Sequence, residues 1–212
     1  MQLEHTLLRP EQTEADVLAG CALAARHHLA AVCVKPCHVR LAADALRGTG
    51  VSVCSVVGFP HGANVTSVKV AEAYQVISDG AVELDMVLNI GAVRGGQLDQ
   101  AQDDLRAVCE VARALGVSAK VIFETAYLTD EQKIAVCKMC NAVGADWAVT
   151  STGYAPAGAT IEDIKLLRAN LDPRIQIKAA QGILKMYDEQ TLRDAGAARI
   201  SVNNYELGSL NL

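Results

Sequence analysis

The chain has 212 residues, 51% hydrophobic, 20% charged and 4% aromatic, with a formal net charge of -5. That length and apolar content suit one domain with a sizeable core, of the α/β type whose strands are covered on both faces. The mild negative charge and the lack of a Lys/Arg run exclude a nucleic-acid surface, and no stretch approaches the ~18 apolar residues of a membrane span.

In chain order, short apolar runs alternate with helix-period segments. The N-terminus Met1-Gln2-Leu3-Glu4-His5 has neither a basic nor an apolar signal region, and a first strand is expected over residues 3–8. Further strands are expected over 30–35 and 52–57. Val70, Ala73, Tyr74 and Ile77 then recur at i, i+3, i+4 and i+7, the stripe of a helix face. A fourth strand, 82–89, precedes a second stripe of Ala101, Leu105, Val108, Ala112 and Leu115. A fifth strand over 119–124, a helical pattern over 131–142 and a sixth strand over 146–150 follow. Thr160, with Asp163 three residues on, is a candidate N-cap for a helix whose stripe is Ile164, Leu167 and Leu171. Residues 175–179 and 199–202 complete eight strand-like runs. Eight strands, each followed by a helix or helical turn, predict an α/β protein, a (β/α)₈ TIM barrel in a single domain spanning 1–212. A doubly wound sheet would favour a Gly-rich loop after the first strand, and residues 5–10 offer none.

Seven cysteines form no disulfide framework, which suits a reducing cytoplasm. Cys137-x-x-Cys140 and Cys33-x-x-x-Cys37 lack the partner ligands of a structural zinc site. They read as buried thiols, so neither a metal nor a cofactor is expected.

Barrel strands alternate between lumen and helix layer, and reactive groups gather at their C-terminal ends. In the fourth strand Leu84, Met86 and Leu88 share one face, and Glu83, Asp85 and Asn89 the other. The apolar set belongs against the helices, so the carboxylates point inward. Likewise Lys120, Ile122 and Glu124 share a face of the fifth strand, and Gln176, Lys178 and Ala180 a face of the seventh. Glu83, Lys120 and Glu124 could form a purely structural ion-pair cluster, since buried charges must be paired. Lys178 and Asp85 lie where barrels keep their chemistry. Crowded cations and desolvation would lower a lysine's pKa there from ~10.4, and a nearby Asp85 would oppose the shift.

The motifs His5-Thr-Leu-Leu8, Val57-Gly-Phe-Pro60, Glu83-Leu-Asp-Met-Val-Leu-Asn-Ile-Gly91, Lys120-Val-Ile-Phe-Glu124, Thr150-Ser-Thr-Gly153 and Lys178-Ala-Ala180 occur in that order along the chain. Together they resemble the deoxyribose-5-phosphate aldolase family, which implies a (β/α)₈ barrel and a class I aldolase ancestry. By that resemblance Asp85 matches the carboxylate that organises a proton-relay water. Lys178 matches the second lysine, which depresses the pKa of the Schiff-base lysine. The resemblance also implies a small carbonyl substrate and a homodimer. Its substrate-binding candidates are Thr150, Gly153 and Tyr154 at the sixth strand, and Gln181, Gly182, Ser201, Asn203 and Asn204 at the seventh and eighth. Tyr154 is expected chiefly to pack over the barrel mouth, with proton donation as the alternative.

The departures are systematic. Val149 stands where the family has its Schiff-base lysine. Glu4 and Arg9 flank His5-Thr-Leu-Leu8 in place of aspartate and lysine, and Lys35 replaces an asparagine. Gln181-Gly182 stands where the family has a Gly-Gly pair, and Ser201-Val202-Asn203-Asn204 replaces a small-residue turn. Both changes add bulk where backbone amides would cradle a phosphate. Three readings follow. The first is a carbon–carbon lyase with the Schiff base moved to Lys178, or less favourably to Lys35. The second is an aldolase-derived barrel in which Asp85, Lys178, Glu4 and Lys120 do acid–base and electrostatic chemistry on an unphosphorylated substrate. The third is a catalytically silent ligand-binding barrel.

Overall fold

A computed structural model describes residues 2–181 and 189–203. Eight strands pair in parallel in sequence order and β8 closes onto β1. They are β1 (Gln2–Leu7), β2 (Ala31–Val34), β3 (Ser52–Val57), β4 (Glu83–Val87), β5 (Ser118–Ile122), β6 (Trp147–Val149), β7 (Gln176–Ala180) and β8 (Arg199–Val202). The helices are α1 (Glu14–Arg26), α2 (Val39–Ala45), α3 (Thr66–Ser78), α4 (Ile90–Arg94), α5 (Leu98–Ala114), α6 (Asp130–Val143), α7 (Ile161–Asn170) and α8 (Glu189–Ala195). This is the (β/α)₈ barrel that the alternating pattern predicts. Two helices, α4 and α5, follow β4. No described helix is long and apolar enough to cross a membrane.

The helix starts are written locally. Thr13 and Thr129 each accept from the N3 backbone amide, while the side chains of Asp16 and Gln132 reach back to the cap amide, closing two capping boxes. Thr160 accepts from the Asp163 amide at 3.0 Å, as expected of an N-cap. Each such cap stabilises its helix by about 1 kcal/mol.

Strand parity sorts the core. Leu84, Met86 and Leu88 pack outward among the helices with Val121, Phe123 and Ile177, all buried. Each contributes about 1.5–3 kcal/mol by leaving water. The opposite parity of the same strands fills the lumen. Tyr74 departs from its expected stripe: it is exposed, and α3 buries Lys69, Ala73 and Val76 instead. Leu115 caps α5 and is likewise exposed. Lys35 and Glu124 fall just past their strands. Lys35 precedes Pro36 at a 3₁₀ turn, and Glu124 adopts φ 54°, a left-handed conformation that ends β5. The β3–α3 loop lies so close to the end of β4 that a Cβ on Gly62 would sit 1.8 Å from the Leu88 carbonyl oxygen.

Candidate active site

The lumen holds three carboxylates and three cations in one network. Lys120 Nζ meets Glu83 at 2.6 Å, Asp85 at 3.1 Å and Glu4 at 3.3 Å. Lys178 Nζ meets Glu4 Oε1 at 2.5 Å and pairs closely with Asp85 Oδ2. Arg199 Nη1 bridges Glu83 at 2.6 Å and Glu4 at 3.1 Å, and its guanidinium carbon lies 4.5 Å from the Trp147 ring centroid. Both lysines and Glu4 are almost wholly out of solvent.

These contacts set the protonation states. Burial alone would push the Glu4 carboxyl up, but Lys120, Lys178 and Arg199 outweigh it and hold Glu4 well below the ordinary carboxylate range. Burial alone would pull the Lys178 ammonium down, yet Asp85 and Glu4 hold it above the lysine range. Lys120 is raised in the same way, by Asp85 first among its partners. The depressed lysine expected from cation crowding is therefore not found. Two carboxylates on Lys178 outweigh both its desolvation and the nearby Lys120.

Above this network opens a cavity of about 400 Å³ at the C-terminal ends of the strands. Asp85 and Lys178 form its charged floor, and Val149, Ile122, Ala180, Phe59 and Leu8 supply apolar wall. Thr6 and Ser201, joined by a hydroxyl–hydroxyl hydrogen bond, face it from β1 and β8. Val149 is 1% exposed and clusters with Val87, Ile122 and Ala180. It stands in register with Lys178, so this position presents an apolar surface beside a clamped ammonium. At the mouth, Tyr154 Oη donates to the Leu8 carbonyl at 3.0 Å and meets Phe59 edge-on at 5.5 Å. These contacts seat the ring over the barrel mouth.

The expected site residues therefore separate. Asp85, Lys178, Gly153, Tyr154, Gln181, Ser201 and Asn203 line the cavity. Glu4 and Lys120 do not; they lie beneath it and hold Lys178 and Asp85 from below. Thr150 spends its hydroxyl on β7, accepting from the Ala180 amide at 2.9 Å, and does not line the cavity. Gly182 and Asn204 lie outside the described residues. Lys35 donates to the carbonyls of Arg9 and Gln12, each at 3.0 Å, which staples the β1–α1 loop, and it does not line the cavity. Glu124 stands apart from the lumen cluster. Its carboxylate accepts from the Thr152 amide at 3.3 Å and from the Thr152 hydroxyl, which orders the 150–153 turn, and burial pushes its pKa up.

Gln181 occupies φ 75°, a conformation that glycine adopts freely and other residues rarely do. Its Nε2 donates to the Gly153 carbonyl at 2.8 Å, and a Cβ on Gly153 would meet Gln181 Oε1 at 2.3 Å. The side chain thus fills the corner where a glycine would leave backbone open. Sequence reasoning missed Arg199, Thr6, Cys33 and Ser151. Arg199 shares parity with Ser201, and Thr6 with Glu4, so alternation could have found both. Glu4, Cys33, Cys54 and Asp85 bring donor atoms within 4.8 Å of one another, a spacing that suits a metal. Lys120 Nζ already takes that place, in contact with Glu4, Asp85 and, at 3.3 Å, Cys54 Sγ.

A closed parallel barrel with a charged pair flooring a cavity at the C-terminal ends of its strands has the architecture of a (β/α)₈ barrel enzyme. A sequence model of the DeoC/LacD family aldolases matches residues 4–200. The chain is 42% identical over 201 residues to a deoxyribose-phosphate aldolase of Staphylococcus epidermidis, covering 95% of this chain and 90% of that protein. It is 43% identical over 197 residues to the one of Rhodopirellula baltica, covering 93% and 82%. Among solved structures it is similar to the aldolase QR15, with TM-score 0.87, 35% identity and coverage of 96% and 90%. It is also similar to the tetrameric deoxyribose phosphate aldolase of Aeropyrum pernix, with TM-score 0.87, 28% identity and coverage of 95% and 85%. This chain belongs to the DeoC/LacD aldolase family.

Proposed function

We propose that this chain is a carbon–carbon lyase of the deoxyribose-phosphate aldolase type that acts on small, unphosphorylated hydroxy-carbonyl compounds without forming a Schiff base. The observation that carries this reading is the clamp on Lys178. An amine held as ammonium by Glu4 and Asp85 has no lone pair for a carbonyl carbon. It is well placed to stabilise oxygen charge. In the retro-aldol direction Asp85 takes the proton of the substrate's β-hydroxyl as the carbon–carbon bond breaks. The electron pair moves to the carbonyl oxygen, and the Lys178 ammonium holds the resulting enolate. One such preorganised donor contributes about 3–4 kcal/mol.

The substrate class follows from the rest of the lining. Among the described residues Gln181, Ser201, Val202 and Asn203 are neutral, and the cationic lining side chains, Arg9 and Lys178, are each paired with a carboxylate. That supports an uncharged compound. The reading extends to a homodimer in a reducing cytoplasm, to which seven free thiols are suited.

Acetaldehyde and glyceraldehyde incubated with the protein and borohydride test the absence of a Schiff base. The expected outcome is aldol turnover with no reduced adduct by mass spectrometry. An adduct on Lys178 would replace this mechanism with a relocated Schiff base. Turnover that survives both Lys178→Met and Asp85→Asn would remove the floor pair from the chemistry.

A further inference from the structure

Seven free cysteines are distributed unevenly. Cys21, Cys109, Cys137 and Cys140 are packed in the outer core between strands and helices. Cys37 is exposed on the turn after β2. Cys33 and Cys54 differ from all of these, because they face the lumen on adjacent strands and pack with Leu8, Val56 and Phe59. They are register partners in the β2–β3 ladder. Neighbouring strands run ~4.8 Å apart, within the ~4.4–6.8 Å Cα separation that a disulfide spans. Their sulfurs lie within 4.8 Å of each other.

We infer that Cys33 and Cys54 form an oxidation site that takes a hydroperoxide through the active-site cavity and closes to a disulfide inside the barrel. Cys33 is the cysteine that lines the cavity among the described residues, so a small oxidant that enters with substrate meets it first. Its thiol points at Asp85 Oδ2, 3.9 Å away, a carboxylate placed to receive the thiol proton. Cys54 does not line the cavity, so it reacts second. In the first step the Cys33 sulfur takes one oxygen as the peroxide O–O bond breaks, giving a sulfenic acid and releasing an alcohol or water. In the second, the Cys54 sulfur displaces that oxygen as water and the S–S bond forms. One hydroperoxide is reduced and two thiols are oxidised. Closure draws Cys54 Sγ from Lys120, 3.3 Å away, and Cys33 Sγ from Asp85, so the oxidised form alters the surroundings of the floor pair.

The inference does not depend on the proposed reaction, and its test reads covalent structure. The folded protein is treated with hydrogen peroxide, quenched by alkylation, and mapped by peptide mass spectrometry without reduction. The expected product has lost two hydrogen atoms, carries a single cross-linked peptide joining Cys33 to Cys54, and returns to free thiols with dithiothreitol. In Cys54→Ser the same treatment leaves one or two added oxygens on Cys33 and no cross-link. A map in which Cys33 and Cys54 stay reduced while Cys37 oxidises would overturn the inference. So would a bridge from Cys33 to Cys37. Should Cys54→Ser fail to fold, the map of the unaltered protein still decides.

Discussion

Val149→Lys would place an amine in the cavity wall beside Lys178, with an effect set by the surrounding packing and charge. Val149 is 1% exposed, against Val87, Ile122 and Ala180. A longer stem there must reach into the cavity above, and overpacking of this kind costs about 1–3 kcal/mol. At ~2–4 °C per kcal/mol for a chain of this size, the melting temperature should fall by roughly 2–12 °C. The register partner is Lys178, one strand away. Two ammonium groups ~5 Å apart at an effective dielectric of ~20 repel by about 3 kcal/mol, or ~2 pKa units. Asp85, bonded to Lys178, returns part of that attraction, and desolvation lowers the new amine further. A usable fraction of free amine should therefore exist at mildly alkaline pH. Acetaldehyde and borohydride should give one reduced adduct at position 149 in the variant and none in the parent. A folded variant that forms no adduct would refute the electrostatic reasoning. Equal labelling of Lys178 in the parent would refute the clamp.

Lys178→Met should destabilise the fold by about 3–5 kcal/mol, because Glu4 and Asp85 lose a buried partner; a denaturant titration that finds no loss would contradict the ion-pair account. Glu124→Gln should keep stability at neutral pH, since an amide oxygen still accepts from the Thr152 amide. Glu124→Ala should lose about 1–3 kcal/mol by leaving that amide unpaired. Gln181→Gly should relieve a left-handed side chain and open the corner beside Gly153, so that inorganic phosphate becomes a measurable inhibitor of the variant alone. Stability against pH should be lost on two sides. Glu4 is held below its ordinary 4.5, so its contribution is full above that value and fades as pH falls beneath it. Lys178 is held above its ordinary 10.5, so its contribution is full below that value and fades as pH climbs past it. Thermal melts across pH should show the plateau between, and a maximum confined to the isoelectric region would count against both shifts.

Parity made much of this site legible in the sequence. Alternation along β4, β5 and β7 placed Asp85, Lys120 and Lys178 inside and Leu84, Met86 and Ile177 outside, as found. Depth was legible only in part: Lys120 was expected in a structural ion-pair cluster and Asp85 with Lys178 at the reactive end, whereas Glu4 was expected among the catalytic groups and Glu124 in the cluster. Glu4 and Lys120 lie below the cavity because barrel strands are staggered, and the stagger is a property of closure that no single strand encodes. The direction of the Lys178 shift was hidden for a related reason. It depends on how many carboxylates converge from β1 and β4, and a strand read alone shows one neighbour at most. Gln181 kept a glycine-like backbone, so its side chain filled a corner whose existence only the assembled β6 and β7 turns reveal.

The equal count of carboxylates and cations beneath the cavity has a consequence for the history of this barrel. With valine at position 149 the lumen is neutral without any further change. A lysine regained by mutation would arrive as an odd positive charge in a site already matched, and would persist charged only if an acid appeared or another cation left. The neutral amine is the form that attacks a carbonyl, so the matched lumen leaves covalent catalysis one substitution away.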